Sequence, residues 1–145
     1  MRAMEDKVKK LAMLFESEKR VLVAYLFGSY ARGLETPRSD VDIAVLLSEV
    51  PERPLEYYLH LERELAKVLE MDVDLVFLND APPLLKYQMI KYGRLLFSRD
   101  ERVRVMFEAK SLCEYLDFSR VLKRYYEQPS SKQQTESVVR GKSLL

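Results

Sequence analysis

The chain has 145 residues, of which 48% are hydrophobic and 32% are charged, which predicts one compact domain and argues against a disordered chain. The 24 Lys and Arg residues nearly cancel the 23 Asp and Glu residues, and a net charge of +1 argues against a dedicated nucleic-acid binder, which usually carries a basic excess. One cysteine excludes an internal disulfide, and because no signal peptide or membrane-length apolar run is visible we expect a cytoplasmic protein.

The first third of the chain predicts one helix and two buried strands. Apolar residues at helical spacing predict a helix over residues 4–18. The run "RVLVAYLF" (20–27) is β-branched, aromatic and apolar, which predicts a buried strand. The run "YARGL" (30–34) predicts a short helical turn, and "DVDIAVLL" (40–47) predicts a second buried strand.

The rest of the chain predicts two more strands and three more helices. Asn79 or Asp80 can cap the helix that carries Pro82 and Pro83 in its first turn and ends before Gly93. The other elements, in chain order, are a helix over 55–70, a strand over 72–78, a short strand over 94–98 and a long amphipathic helix over 100–127.

The order of these elements predicts the fold class. Strands that alternate with helices indicate an α/β fold with a small mixed sheet of three or four strands, flanked by helices and paired at least partly in parallel. We expect one domain over residues 1–127, which includes the long C-terminal helix. Residues 128–145 are polar and lack periodicity, so we expect them to form a tail.

Two of the predicted strands carry paired aspartates. Asp40 and Asp42 lie on the same side of one strand, with their Cα atoms about 6.6 Å apart, and Asp72 and Asp74 repeat the pattern on the next. If the two strands are neighbours, an aspartate from each can meet at one end of the sheet. Three carboxylates are the usual number for a two-metal phosphoryl-transfer site, and Mg²⁺ prefers such oxygen ligands.

An isolated Asp-Val-Asp is more often the solvated start of a strand, so the interpretation depends on its context. That context is the turn of Gly28 and Ser29, which follows a strand and precedes the predicted helical turn. Backbone N–H groups at such a turn can bind a phosphate, Gly28 permits close approach, and Ser29 adds a hydroxyl. The Gly-Ser turn can therefore hold a triphosphate, and the paired aspartates can bind the metal ion that neutralises it.

Together these motifs resemble a known family. The stretch "GSYARGLETPRSDVDIAVLL" is similar to the signature of DNA polymerase beta-type nucleotidyltransferases, Gly-Ser followed by Asp-x-Asp, and more narrowly to the minimal nucleotidyltransferase (MNT) family. The stretch "VDLVFLNDAPPLLKYQMIKYGRLLF" resembles the family's third-carboxylate strand and the helix after it. The resemblance covers residues 20–98 and implies a nucleotidyltransferase fold.

The resemblance also implies a reaction and its residues. Such proteins use two Mg²⁺ ions to transfer a nucleoside monophosphate from a triphosphate such as ATP to a hydroxyl group. Asp74 would be the third carboxylate, assisting deprotonation of the acceptor, with Asp72 as a possible substitute. By position, Gly28 and Ser29 would bind the triphosphate, Asp40 and Asp42 would bind the metals, and Asp74 would complete the metal and catalytic set.

Four other residues have weaker assignments. Arg32, Arg38 and Lys86 could reach nucleotide phosphates, although a solvated surface charge is the commoner role for each. We keep Arg38, which flanks the motif, as a nucleotide-binding candidate. Cys113 lies on an apolar helical stripe, which predicts simple packing.

The acceptor of the nucleotide is the remaining question. No acceptor-binding domain is visible after residue 98, so we expect the acceptor to come from another molecule. MNT proteins act as antitoxins beside a HEPN-domain toxin, in which they AMPylate a tyrosine. The resemblance therefore implies a protein adenylyltransferase antitoxin. Two alternatives stay open: a non-catalytic antitoxin or binding module, and a small-molecule nucleotidyltransferase with an aminoglycoside-like acceptor.

Overall fold

The structure is a computed structural model, and it describes residues 2–28 and 40–127. The predicted helical turn at 30–34 and the predicted tail at 128–145 lie outside these residues. None of the described helices combines the length and the apolar character needed to cross a membrane. The elements are helices α1 (Arg2–Ser17), α2 (Pro54–Leu69), α3 (Pro83–Tyr92) and α4 (Glu101–Glu127), strands β1 (Val21–Phe27), β2 (Val41–Leu47), β3 (Val73–Phe77) and β4 (Arg94–Ser98), and a 3₁₀ turn (Leu78–Asp80).

The described strands form one mixed sheet of four strands in the order β3-β2-β1-β4. β1 is antiparallel to both β2 and β4, whereas β2 and β3 are parallel. Parallel neighbours need a crossover connection, and α2 supplies it between β2 and β3. The predicted small mixed sheet with flanking helices and a long C-terminal helix is confirmed.

Alternating side chains divide the core between the two faces of the sheet. On one face, Ile43 and Val45 of β2 pack with residues of α1 and α2 such as Phe15 and Leu65. On the other face, Ala44 packs in a smaller cluster near α3 and α4. Asp42 shares this second face with Ala44 by alternation, so the strand that fills the core also presents its aspartate on the less covered side.

The predicted capping role of Asn79 or Asp80 is wrong. α3 begins with Pro82 at its N-cap and has no side-chain cap, while both candidates lie in the preceding 3₁₀ turn. The Asn79 side chain instead pairs with the backbone of Leu47: its Oδ1 accepts from the N–H at 2.9 Å, and its Nδ2 donates to the carbonyl at 2.8 Å. The amide satisfies both groups at the end of β2, which a helix cap could not do.

Arg99 joins the β4–α4 connection to the end of α1. Its guanidinium donates to the carbonyl oxygens of Phe15 at 2.7 Å, Glu18 at 3.0 Å and Val21 at 2.9 Å. The last carbonyls of a helix have no partner within the helix, and a forked cation can satisfy several of them together. Arg99 therefore fixes the C-terminal end of α1 against the sheet.

Candidate active site

The parallel pairing of β2 and β3 brings two of the predicted carboxylates together. Asp42 and Asp74 are partners in the register of the two strands, so both side chains lie on the same face of the sheet. The two carboxyl groups are in hydrogen-bond contact. Asp40 lies immediately before β2 and is exposed, but its charge also acts on Asp42.

The surroundings of Asp42 disfavour its ionised form. Burial raises the pKa of the Asp42 carboxyl above its usual range, and the negative charges of Asp74 and Asp40 raise this pKa further. The hydrogen bond with Asp74 acts in the same direction. The cluster thus holds more negative charge than its own side chains compensate, which is the condition that a bound cation would relieve.

Gly28 lies directly against this cluster. Its φ of 79° is in the left-handed region, and a Cβ atom at this position would collide with Oδ2 of Asp42 and lie 3.1 Å from Cγ. Glycine is required both for this backbone conformation and for the approach of the turn to the carboxylate. The structure therefore joins the predicted phosphate turn to the predicted metal ligand, although Ser29 and Arg38 lie outside the described residues.

The oxygen donors of Asp40, Asp42 and Asp74 fit a hard divalent cation. Within residues 2–28 and 40–127, however, no three side chains of the Asp, Glu, His or Cys type lie close enough together to hold a metal ion by themselves. Mg²⁺ commonly takes one or two carboxylates and completes its shell with waters and substrate phosphates. The contacting pair of Asp42 and Asp74 suits that kind of site.

Asp72 occupies a different position from Asp74. Its backbone carbonyl accepts a hydrogen bond of 3.1 Å from the N–H of Val41, which extends the β2–β3 pairing. With Asp40 it lines an open depression of about 480 Å³ beside α2, which also presents Glu62 and Arg63. Asp74, and not Asp72, is the carboxyl in contact with Asp42.

Two residues outside the motif, Lys86 and Cys113, differ from their sequence-based interpretation, and a third, Tyr58, was not predicted to lie at the site. Lys86 is not a solvated charge: it forms a partly buried ion pair of 2.7 Å with Glu114. Cys113 is exposed instead of packed. Tyr58 of α2 lies near the site, where burial, the hydrogen bond that its hydroxyl donates to Glu62, and the charge of Asp74 raise the pKa of that hydroxyl. No local sequence signal marks Tyr58, because α2 reaches the strand only in the folded chain.

The fold and site define a class of protein. The family described as "Polymerase beta, Nucleotidyltransferase" matches residues 9–102, and the chain belongs to this family. The resemblance to minimal nucleotidyltransferases is confirmed by a homologue, the protein adenylyltransferase MntA of Shewanella oneidensis, which is 33% identical over 111 residues, or 77% of this chain and 76% of the relative.

Solved structures extend the likeness to complexes. A toxin–antitoxin structure with AMP-PNP matches with a TM-score of 0.67 and 31% identity over 83% of this chain and 93% of the other. A tri-AMPylated Shewanella oneidensis HEPN toxin in complex with an MNT antitoxin matches with a TM-score of 0.65 and 26% identity, over 83% and 92%. Chains of this shape therefore occur in complexes with toxins and with an ATP analogue.

Proposed function

We propose that this chain is an antitoxin that transfers AMP from ATP to a tyrosine hydroxyl of a partner HEPN-domain toxin. The observation that carries the proposal is the carboxyl pair of Asp42 and Asp74 pressed against the turn at Gly28. The similarity of the chain to the adenylyltransferase MntA and to toxin-bound antitoxins supports the choice of reaction and partner. The need for ATP places the reaction in the cytoplasm.

Each residue of the motif has a role in binding. The backbone at Gly28 and the hydroxyl of Ser29 hold the triphosphate, and Arg38 pairs with its charge. Asp40, Asp42 and Asp74 would hold two Mg²⁺ ions, which when bound would neutralise the triphosphate and stabilise the charge that develops during transfer.

The transfer itself needs no covalent intermediate on this chain. The acceptor hydroxyl oxygen forms a bond to the α-phosphorus, and the bond from that phosphorus to the oxygen bridging to the β-phosphate breaks, releasing pyrophosphate. Asp74 accepts the hydroxyl proton, which its position on the exposed side of the pair allows. Holding the reactants in line supplies much of the rate enhancement.

The test is a transfer assay with ATP labelled in its α-phosphate. The acceptor is a purified HEPN-domain toxin, and peptide mass spectrometry locates the label. Label on a toxin tyrosine that disappears with Asp42→Asn supports the proposal. Neutralisation of the toxin that survives Asp42→Asn would instead indicate a non-catalytic antitoxin, and label on an aminoglycoside would indicate a small-molecule transferase.

A further inference from the structure

The phosphate turn and the third carboxylate lie on opposite sides of Asp42. Gly28 directly follows Phe27, which pairs with Asp42 across β1 and β2, and Asp42 pairs with Asp74 across β2 and β3. Because neighbouring strands lie about 4.8 Å apart, the turn and the backbone of Asp74 are separated by about two strand spacings. The site therefore has a direction across the sheet, from β1 through β2 to β3.

This direction indicates the side from which an acceptor approaches. In phosphoryl transfer the attacking oxygen, the phosphorus and the leaving oxygen lie roughly in line. With the triphosphate held at Gly28, pyrophosphate leaves on the side of β1, and the attacking hydroxyl arrives on the side of β3, where Asp74 can accept its proton. β3 is an edge strand of the described sheet, so another molecule can reach this side.

The open depression of about 480 Å³ beside α2 lies at this edge, and we call it the β3 depression. Two contacts join it to the carboxylate cluster. Asp40 lines the depression and also acts on Asp42 through its charge. Glu62, another lining residue, accepts a hydrogen bond from Tyr58, which also hydrogen-bonds to the backbone of Leu75 and feels the charge of Asp74. The β3 depression therefore adjoins the site on the side from which the acceptor approaches.

The lining of the β3 depression combines an apolar wall with an excess of negative charge. Leu59 of α2 is 44% exposed and belongs to the lining. Three carboxylates line the depression, those of Asp40, Glu62 and Asp72. Arg63 is the one cation among the described lining residues. Carboxylates repel a triphosphate and attract a cationic group, so this lining fits a peptide segment with a Lys or Arg better than it fits the nucleotide.

Asp72 is the lining carboxylate that is most available to a partner. Asp40 belongs to the proposed metal site, and Glu62 already accepts a hydrogen bond from Tyr58. Asp72 is exposed, and it extends the β2–β3 pairing through its backbone carbonyl, which leaves the side chain for other contacts.

We propose that the β3 depression binds the segment of the HEPN toxin that carries the acceptor tyrosine, with Leu59 against its apolar side chains and Asp72 paired with a Lys or Arg beside that tyrosine. The inference rests on the proposed function for the reaction and the partner. A segment held in this depression presents its hydroxyl to Asp74 from the side opposite Gly28, as in-line transfer requires.

The first test compares two double variants in AMP transfer to a purified HEPN-domain toxin. L59A/D72N removes the apolar contact and the charge that are proposed to bind the segment. L55A/D80N makes the same changes on the same helix and just after the same strand, at exposed residues outside the described lining. Because all four residues are exposed, both variants should keep the melting temperature of the original chain within a few degrees.

We expect L59A/D72N to raise the KM for the toxin at least about tenfold, as the loss of two binding contacts does. Lost binding that is equal in the ground and transition states raises KM and spares kcat, so kcat and the KM for ATP should change less than about twofold. L55A/D80N should match the original chain. An unchanged toxin KM in L59A/D72N, or an equal rise in both variants, would overturn the proposal. A rise in the KM for ATP alone would overturn it by placing the nucleotide in the depression.

Salt tests the charge pair separately. An ion pair at an exposed carboxylate is screened by salt, so a higher salt concentration should raise the toxin KM of the original chain more than that of Asp72→Asn. An equal response in the two proteins would overturn the pairing assigned to Asp72.

The second test identifies the occupant directly. The photo-crosslinking amino acid p-benzoylphenylalanine takes the place of Leu59, and mass spectrometry maps the toxin peptide that is joined to it after illumination. We expect this peptide to be the one that receives AMP. A crosslink to another part of the toxin, a crosslink to a second copy of this chain, or no crosslink would overturn the proposal.

Toxin binding measured by calorimetry without ATP separates this proposal from the proposed reaction. If the original chain binds the toxin and transfers no AMP, while L59A/D72N weakens the Kd, the proposed reaction is wrong and the β3 depression remains a toxin-binding site. If AMP transfer occurs with the same toxin KM in all three proteins, the reaction stands and the depression is not the acceptor site. Neither binding nor transfer by the original chain would overturn both.

Discussion

Replacing Asp42 with asparagine separates the catalytic role of this carboxylate from a structural one. The Asp42 carboxyl is partly buried, contacts Asp74 and feels the charge of Asp40. Asparagine keeps the shape of the side chain and removes its charge. Like charges directly opposite on neighbouring strands destabilise a sheet, and pairs of this kind are worth about 0.2–1 kcal/mol. Without divalent metal, we expect Asp42→Asn to raise the melting temperature by up to about 4 °C.

The size of this gain should depend on pH. Because the pKa of Asp42 is higher in the folded chain than its usual 3.8, the folded state binds the proton more tightly than the unfolded state does. The original protein therefore loses stability as pH rises from 3.8 through the folded-state pKa. The advantage of Asp42→Asn should be smallest near pH 3.8 and reach its full value above the folded-state pKa, as measured by thermal melts across pH.

The order of stability should reverse when ligand is present. A ligand at a hundred times its Kd stabilises the folded protein by about 2.7 kcal/mol, so Mg²⁺ with AMP-PNP should raise the melting temperature of the original protein and raise that of Asp42→Asn much less. AMP transfer by the variant should fall at least about 100-fold, since metal stabilisation of the transferring group is worth several kcal/mol.

Asp72→Asn provides the matched control. Asp72 belongs to the neighbouring Asp-Val-Asp and is exposed, but Asp74 is the residue in contact with Asp42. Asp72→Asn should change neither the metal-free melting temperature nor the response to Mg²⁺ and AMP-PNP. A loss of more than about 1 kcal/mol of metal-free stability in Asp42→Asn would refute the electrostatic reasoning, because removal of a repelling charge should not destabilise the sheet.

Substitutions at three further positions test local contacts. Gly28→Ala should cost about 1–2 kcal/mol in chemical denaturation because of its positive φ and should abolish AMP-PNP binding in calorimetry because the new methyl group displaces Asp42; retained binding would contradict this. Arg99→Ala should lower the free energy of unfolding by about 1–3 kcal/mol, and Arg99→Lys should recover only part because it lacks the fork. Asn79→Ala leaves both backbone groups of Leu47 unpaired and should also lower the free energy of unfolding by about 1–3 kcal/mol. For the Arg99 or the Asn79 substitutions, a change below about 0.5 kcal/mol in chemical denaturation would show that water replaces the contact.

Local signals in the sequence were enough to locate the helices and strands and to select the motif. The apolar run before Gly28 and the run after Asp42 predict buried strands because each is continuous and short. The conformational freedom of glycine and the oxygen atoms of the Ser and Asp side chains are known from the residue types alone. The combination of a Gly-Ser turn with Asp-x-Asp could therefore be recognised without a structure. Family resemblance then supplied the reaction that these residues suggested.

Partners distant in the chain were decided only by the tertiary structure. The contact of Asp42 with Asp74, and not with Asp72, follows from the register of two parallel strands that a whole helix separates. Asparagine is a residue type that commonly caps helices, but the side chain of Asn79 makes two hydrogen bonds with the backbone of Leu47 at the end of β2, where a helix cap would make one.

The burial of residues on α4 was also decided only by the tertiary structure. An apolar stripe on a helix predicts burial, and Cys113 was predicted to pack in the core for that reason. Cys113 is exposed although the next two residues, Glu114 and Tyr115, contact Lys86 and Tyr87 of α3. Amino-acid sequence determines which face of a helix is apolar, since that depends on a repeat of a few residues. What covers that face depends on where other elements end, and only the folded chain decides it.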